Sequence, residues 1–74
     1  MEIEVRLFAT FRVGRWSSKR LSFPEGIQIM DVLDSLQIKK EELGLVLLNG
    51  SYKETHEKLK NGDILAIFPP VAGG

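Results

Sequence analysis

The chain has 74 residues, 43% of them hydrophobic and 27% charged, with ten basic residues balancing ten acidic ones. At that length it is one small domain that buries roughly 60% of the surface of its unfolded form, too little to wall in a substrate pocket of its own. It has no cysteine and one histidine, which removes disulfide scaffolds, thiolate clusters, thiol nucleophiles and conventional zinc sites, so neither a metal nor a bound cofactor is expected.

Residues 2–9 alternate strictly, with Ile3, Val5, Leu7 and Ala9 on one side and Glu2, Glu4, Arg6 and Phe8 on the other. Period two over eight residues predicts a half-buried strand. Residues 10–18, with Gly14, Ser17 and Ser18, read as a connection. A second alternation over 19–23, closed by Pro24-Glu25-Gly26, completes a hairpin. The period then changes. Ile29, Val32, Leu33 and Leu36 fall at i, i+3, i+4 and i+7, one stripe of a helix over about 29–36. Asp31 suits its first turn, whereas Gln28 is a poor cap.

Residues 38–44 form a polar exit from the helix. The apolar run 45–48 ends at Asn49-Gly50, a type I′ turn signal, with 51–53 as the short return strand. Residues 54–60 are polar and irregular, and Asn61-Gly62-Asp63 is a further turn. The run Ile64-Leu65-Ala66-Ile67-Phe68 has no polar alternation, so it is expected to lie in the middle of the sheet, covered on both faces. This order of elements predicts an α+β fold, the ubiquitin-like β-grasp: a mixed four- to five-stranded sheet packed on one helix, over residues 1–68. Such a fold hosts many functions and does not choose among them.

Residues 69–74 read Pro-Pro-Val-Ala-Gly-Gly and are expected to form a flexible tail. The prolines end the strand and stiffen an extended exit, and six extended residues reach roughly 20 Å. Gly73 and Gly74 have no Cβ, so a narrow channel can close around them. The α-carboxylate of Gly74 is expected to be unshielded and ionised, with a reference pKa of about 3.5. A carboxylate is a poor electrophile. Adenylation by ATP on a partner enzyme turns it into a mixed anhydride that a sulfur or nitrogen nucleophile attacks.

Leu48-Asn-Gly50, Leu59-Lys-Asn-Gly-Asp63 and Phe68-Pro-Pro-Val-Ala-Gly-Gly74, with the strand Val5-Arg-Leu-Phe-Ala9, resemble the MoaD/ThiS sulfur carriers over essentially the whole chain. The terminal string is most similar to the small subunit of molybdopterin synthase; thiamine-pathway carriers share the Gly-Gly end but usually lack the double proline. The resemblance implies that an E1-like adenylating enzyme (MoeB/ThiF type) activates Gly74 with ATP. A sulfur donor then makes the C-terminal thiocarboxylate, and the tail enters a large synthase subunit (MoaE type) to donate sulfur to a pterin precursor for the molybdenum cofactor. On this reading Gly74 carries the sulfur, Gly73 lets the tail thread, Pro69 and Pro70 aim it, and Val71 and Ala72 complete it. Ala72 stands where a serine is frequent in the family. Two alternatives are a carrier for thiamine thiazole or another sulfur product, and a ubiquitin-like modifier conjugated through Gly74. A plain RNA- or protein-binding module with an unused tail is a third.

If Leu65 and Ile67 face the helix, Ala66 and Phe68 lie on the open sheet face with Leu47 and Phe8, an expected partner-docking patch. Residues 1–24 carry a net charge of +3 and residues 25–74 one of −3. Phe11 and Trp16 sit within the basic stretch, but an overall neutral chain disfavours a nucleic-acid surface. His56 reads as an exposed turn residue, and Tyr52 and Trp16 as rings packed on core edges. No basic-then-apolar leader opens the chain and no apolar run reaches about 18 residues, so a cytoplasmic protein without membrane contact is expected.

Overall fold

In the computed structural model, which describes residues 1–71, the N-terminal alternation becomes strand β1 (Glu2–Leu7). Ile3, Val5 and Leu7 point inward and are at most 1% exposed. Ala9, expected on the same stripe, is exposed instead: its φ of 53° turns the chain out of the strand and into a short 3-10 helix, Ala9–Arg12. Phe11 in that turn is buried and caps the end of the core. Strand β2 (Ser18–Ser22) pairs antiparallel with β1, placing Ile3 beside Leu21. It starts one residue earlier than the alternation suggested, and Phe23 packs half-buried just beyond it.

The helix α1 (Ile29–Ser35) buries Ile29, Val32 and Leu33. Leu36 is the C-cap and only partly buried. The first turn is held by the Gln28 N–H donating to the Asp31 carboxylate at 2.8 Å, the reach-back bond of a capping box. At the far end Arg15 donates to the Leu36 carbonyl at 2.9 Å, a cation where the dipole favours one, and ties it to the 3-10 turn by donating to the Phe11 carbonyl at 3.2 Å.

Strand β3 (Leu45–Leu48) turns at Asn49-Gly50, with φ of 52° and 86°, into β4 (Ser51–Tyr52). Strand β5 (Ile64–Phe68) runs parallel to β1 and antiparallel to β3, and the sheet order is β2-β1-β5-β3-β4. The unalternated run 64–68 is therefore the central strand, and the fold is the expected β-grasp with five strands. The strand is covered on one face only, not on both as expected: Leu65 and Ile67 are buried while Ala66 and Phe68 stay partly exposed, because the single helix lies on one side of the sheet. Tyr52, expected at a core edge, is 62% exposed, because β4 is only two residues long and lies at the open edge of the sheet. The stretch 54–60 is more ordered than its polarity suggested. Leu59 is buried there, its N–H donating to the Ile27 carbonyl at 2.9 Å.

The two Asn-Gly turns lock to each other. Asn49 Oδ1 accepts from the Ile64 N–H at 2.9 Å, its Nδ2 donates to Asp63 Oδ1 at 2.9 Å, and Asp63 Oδ2 accepts from the Lys60 N–H at 2.7 Å. A buried carboxylate needs such partners, and Asp63 is only 9% exposed. This knot fixes the start of β5, leaving its far end, Phe68, to carry the C-terminal exit.

Candidate functional site

The site forms where β5 ends. Leu65 and Ile67 face the helix and are fully buried, which sends Ala66 and Phe68 to the opposite face by strand alternation. The register aligns Arg6, Ala66 and Leu47 in one row and Leu45 with Phe68 in the next. Phe8, just past β1, stacks on Phe68 with centroids 4.3 Å apart and planes 11° apart. Four residues expected at the docking patch, Phe8, Leu47, Ala66 and Phe68, are thus brought onto one face, each partly exposed.

Sequence reading omitted Leu45, 39% exposed, and left Val71, 83% exposed, in the tail alone. Both line an open groove of about 690 Å³ with Phe8, Ala9, Thr10, Leu47, Phe68, Pro69 and Pro70. The signal for Leu45 was available, since period two puts it beside Leu47. The Arg12 guanidinium stands 5.4 Å from the Phe8 ring centroid and its Nε donates to the Leu7 carbonyl at 2.8 Å. A cation over an aromatic face at this range is attractive, so a positive charge borders the apolar groove.

The other half of the open face is polar. Arg6 Nε lies 2.6 Å from Glu4 Oε2, and that bond holds the Glu4 carboxyl below its ordinary value, with Arg20 adding a weaker attraction. The face is therefore divided: ion-paired toward the start of β5, apolar toward its end. Phe11 is buried and Trp16 half-buried against the core, so the basic connection 10–18 lacks the free aromatic platform a single-stranded nucleic acid stacks on. His56 is exposed, as its setting predicts. Among the described residues no group of three or more histidines or carboxylates is gathered as a metal site, and no helix is long and apolar enough to cross a membrane.

The arm begins at Pro69 and Pro70, which leave the end of the central strand beside this groove. The Gly44 N–H donates to the Phe68 carbonyl at 2.8 Å. Three of the residues expected to carry the chemistry, Ala72, Gly73 and Gly74, lie outside the described residues.

The profile of the ThiS family matches residues 5–74. The chain is 36% identical to small archaeal modifier protein 3 of Haloferax volcanii, with all of both chains covered. Its structure is similar to that of SAMP1 of the same organism, with a TM-score of 0.79, 29% identity and full coverage of both chains. It is also similar to a chain in the complex of subunits 1 and 2 of molybdopterin-converting factor from Helicobacter pylori, with a TM-score of 0.67, 29% identity and full coverage of both.

Proposed function

The chain belongs to the ThiS family, the ubiquitin-like sulfur carriers, and from that membership we propose that Gly74 is its reactive end, serving a molybdopterin synthase of which this chain is the small subunit. A carboxylate oxygen of Gly74 attacks the α-phosphorus of ATP on an E1-like enzyme of MoeB or ThiF type and releases pyrophosphate. A sulfur donor at the sulfide level then attacks the acyl carbon of the adenylate, displacing AMP and leaving a thiocarboxylate. Docked on a large subunit of MoaE type, the thiocarboxylate sulfur bonds to a carbon of the pterin precursor, and water cleaves the acyl C–S bond, returning the Gly74 carboxylate.

The observation that carries this reading is the placement of the arm at the rim of an apolar groove on an otherwise uncovered sheet face. A partner that covers Phe8, Leu45, Leu47 and Phe68 meets the arm as it leaves Val71. The acids and bases of the reaction then belong to the partner, consistent with a chain too short to enclose its own pocket. The likeness to a solved complex of subunits 1 and 2 of molybdopterin-converting factor supports a partner of that kind.

The likeness to small archaeal modifier protein 3 favours a second reading, in which the amine of a target lysine displaces AMP and forms an isopeptide. Both readings share the adenylate and differ in the nucleophile. Reconstitution with the large subunit and the pterin precursor, run beside an immunoblot for conjugates in cell extract, separates them. Sulfur transfer without conjugate ladders supports the synthase role; ladders without sulfur transfer support the modifier.

A further inference from the structure

The last residue before β3 is Gly44, and it sits against the arm rather than in a turn that demands glycine. Its φ lies outside the left-handed region, so no backbone strain requires a glycine there. The requirement comes from space. A Cβ at this position would meet the carbonyl oxygen of Pro69, and would stand 2.5 Å from the Pro69 carbonyl carbon and 2.7 Å from the Pro70 nitrogen. All three are backbone atoms, which cannot rotate aside as the end of a side chain does. Gly14, Gly26, Gly50 and Gly62 have nothing within 4 Å of such a Cβ and are instead held by positive φ. Gly44 is the one described glycine whose missing side chain makes room for another part of the chain.

We propose that Gly44 is a positioning residue for the C-terminal arm. Its bare Cα is the seat over which the Pro69–Pro70 peptide crosses, and its N–H holds the preceding carbonyl, that of Phe68, at 2.8 Å. Together the two contacts fix the heading at which the arm leaves the docking face. Because the proline rings lock φ at both positions, a change of heading at Pro69 is passed on to Val71. A methyl at residue 44 drives the peptide back by about 1 Å to reach ordinary van der Waals separation. The three atoms nearest that methyl all belong to the Pro69–Pro70 peptide, so the displacement falls on the arm while the sheet face still docks. The consequence for reaction rests on the carrier reading of Gly74; the placement of the arm does not.

The test uses the full chain as wild type and as Gly44→Ala, with two measurements. In NMR spectra of the free protein, nuclear Overhauser contacts from the Gly44 α-protons to the Pro70 δ-protons are expected in the wild type. They should be lost in Gly44→Ala, with the shifts of Val71 moved and those of Leu65 and Ile67 unchanged. In ATP–pyrophosphate exchange with the E1-like enzyme, kcat is expected to fall on the order of 10²-fold, as a reacting group misplaced by about 1 Å does, with KM little changed.

Absence of the contacts in the wild type overturns the proposal whether or not the variant folds. So does a folded variant whose arm shifts and kcat match the wild type. A variant that loses its dispersed spectrum, with kcat and KM moving together, makes Gly44 a purely structural residue and also overturns it. If the wild type itself supports no exchange, the carrier reading fails, and the spectra alone decide the placement of the arm.

Discussion

A single charge placed in the groove separates docking from folding. Leu45 lies at the mouth of the groove and is 39% exposed. Full burial of a leucine is worth about 1.5–3 kcal/mol, so Leu45→Glu forfeits the buried share of that, about 1–2 kcal/mol of stability. The new carboxylate costs little more in the free protein, because it projects into water. In a complex that covers the groove it is desolvated among apolar side chains, at a cost of several kcal/mol. A loss of about 2.8 kcal/mol is already a hundredfold in Kd. Urea unfolding followed by the fluorescence of Trp16, the sole tryptophan, reads the first effect. Calorimetric titration with the large synthase subunit reads the second. A variant that unfolds within about 2 kcal/mol of wild type yet binds at least a hundredfold more weakly is the expected result. Binding unchanged within about threefold, under 1 kcal/mol, refutes the assignment of this face.

Asn49→Ala leaves Asp63 and the Ile64 N–H without a shared partner and is expected to cost about 1–3 kcal/mol in urea unfolding, with no change in the apolar sheet face. Removing Gly74 should abolish adenylate formation while leaving the thermal midpoint where it was, since the buried core spans only Ile3 to Ile67; calorimetry beside pyrophosphate exchange checks both halves. Glu4 binds its proton less tightly folded than unfolded, through its bond to Arg6. Its contribution is therefore present above the unfolded value and is lost as pH falls through the lower folded one. Glu4→Gln should flatten that acid limb slightly, and an NMR titration of the Glu4 carboxyl should show a midpoint below the ordinary glutamate value.

Much of the fold was legible because period is a local property. Alternation at Ile3, Val5 and Leu7 and the stripe Ile29, Val32 and Leu33 each announce which side is buried before any contact is known, whereas the unalternated run 64–68 announces a central strand without saying which of its faces is covered. The apolar face followed from one parity decision at Leu65 and Ile67, which placed Ala66 and Phe68 outward and Phe8 and Leu47 beside them. What stayed hidden depends on pairs far apart in the chain. Asp63 read as a turn residue, and its burial comes from Asn49, 14 residues earlier. Gly44 read as the end of a polar exit, and its need for a bare Cα arises only when Pro69 crosses it. Ala9 and Tyr52 were misplaced for a simpler reason. Alternation says nothing about where a strand stops, and both lie at strand ends, where a positive φ or an open edge turns the side chain to solvent.

The central claim is that Gly74 holds sulfur as a thiocarboxylate. Intact-mass spectrometry after incubation with ATP, the E1-like enzyme and a sulfur donor tests it most directly. The expected result is a mass gain equal to exchange of one oxygen for one sulfur, localised to Gly74 by fragmentation and absent without ATP. An unaltered mass, with an enzyme shown to be active on its own carrier, contradicts the account.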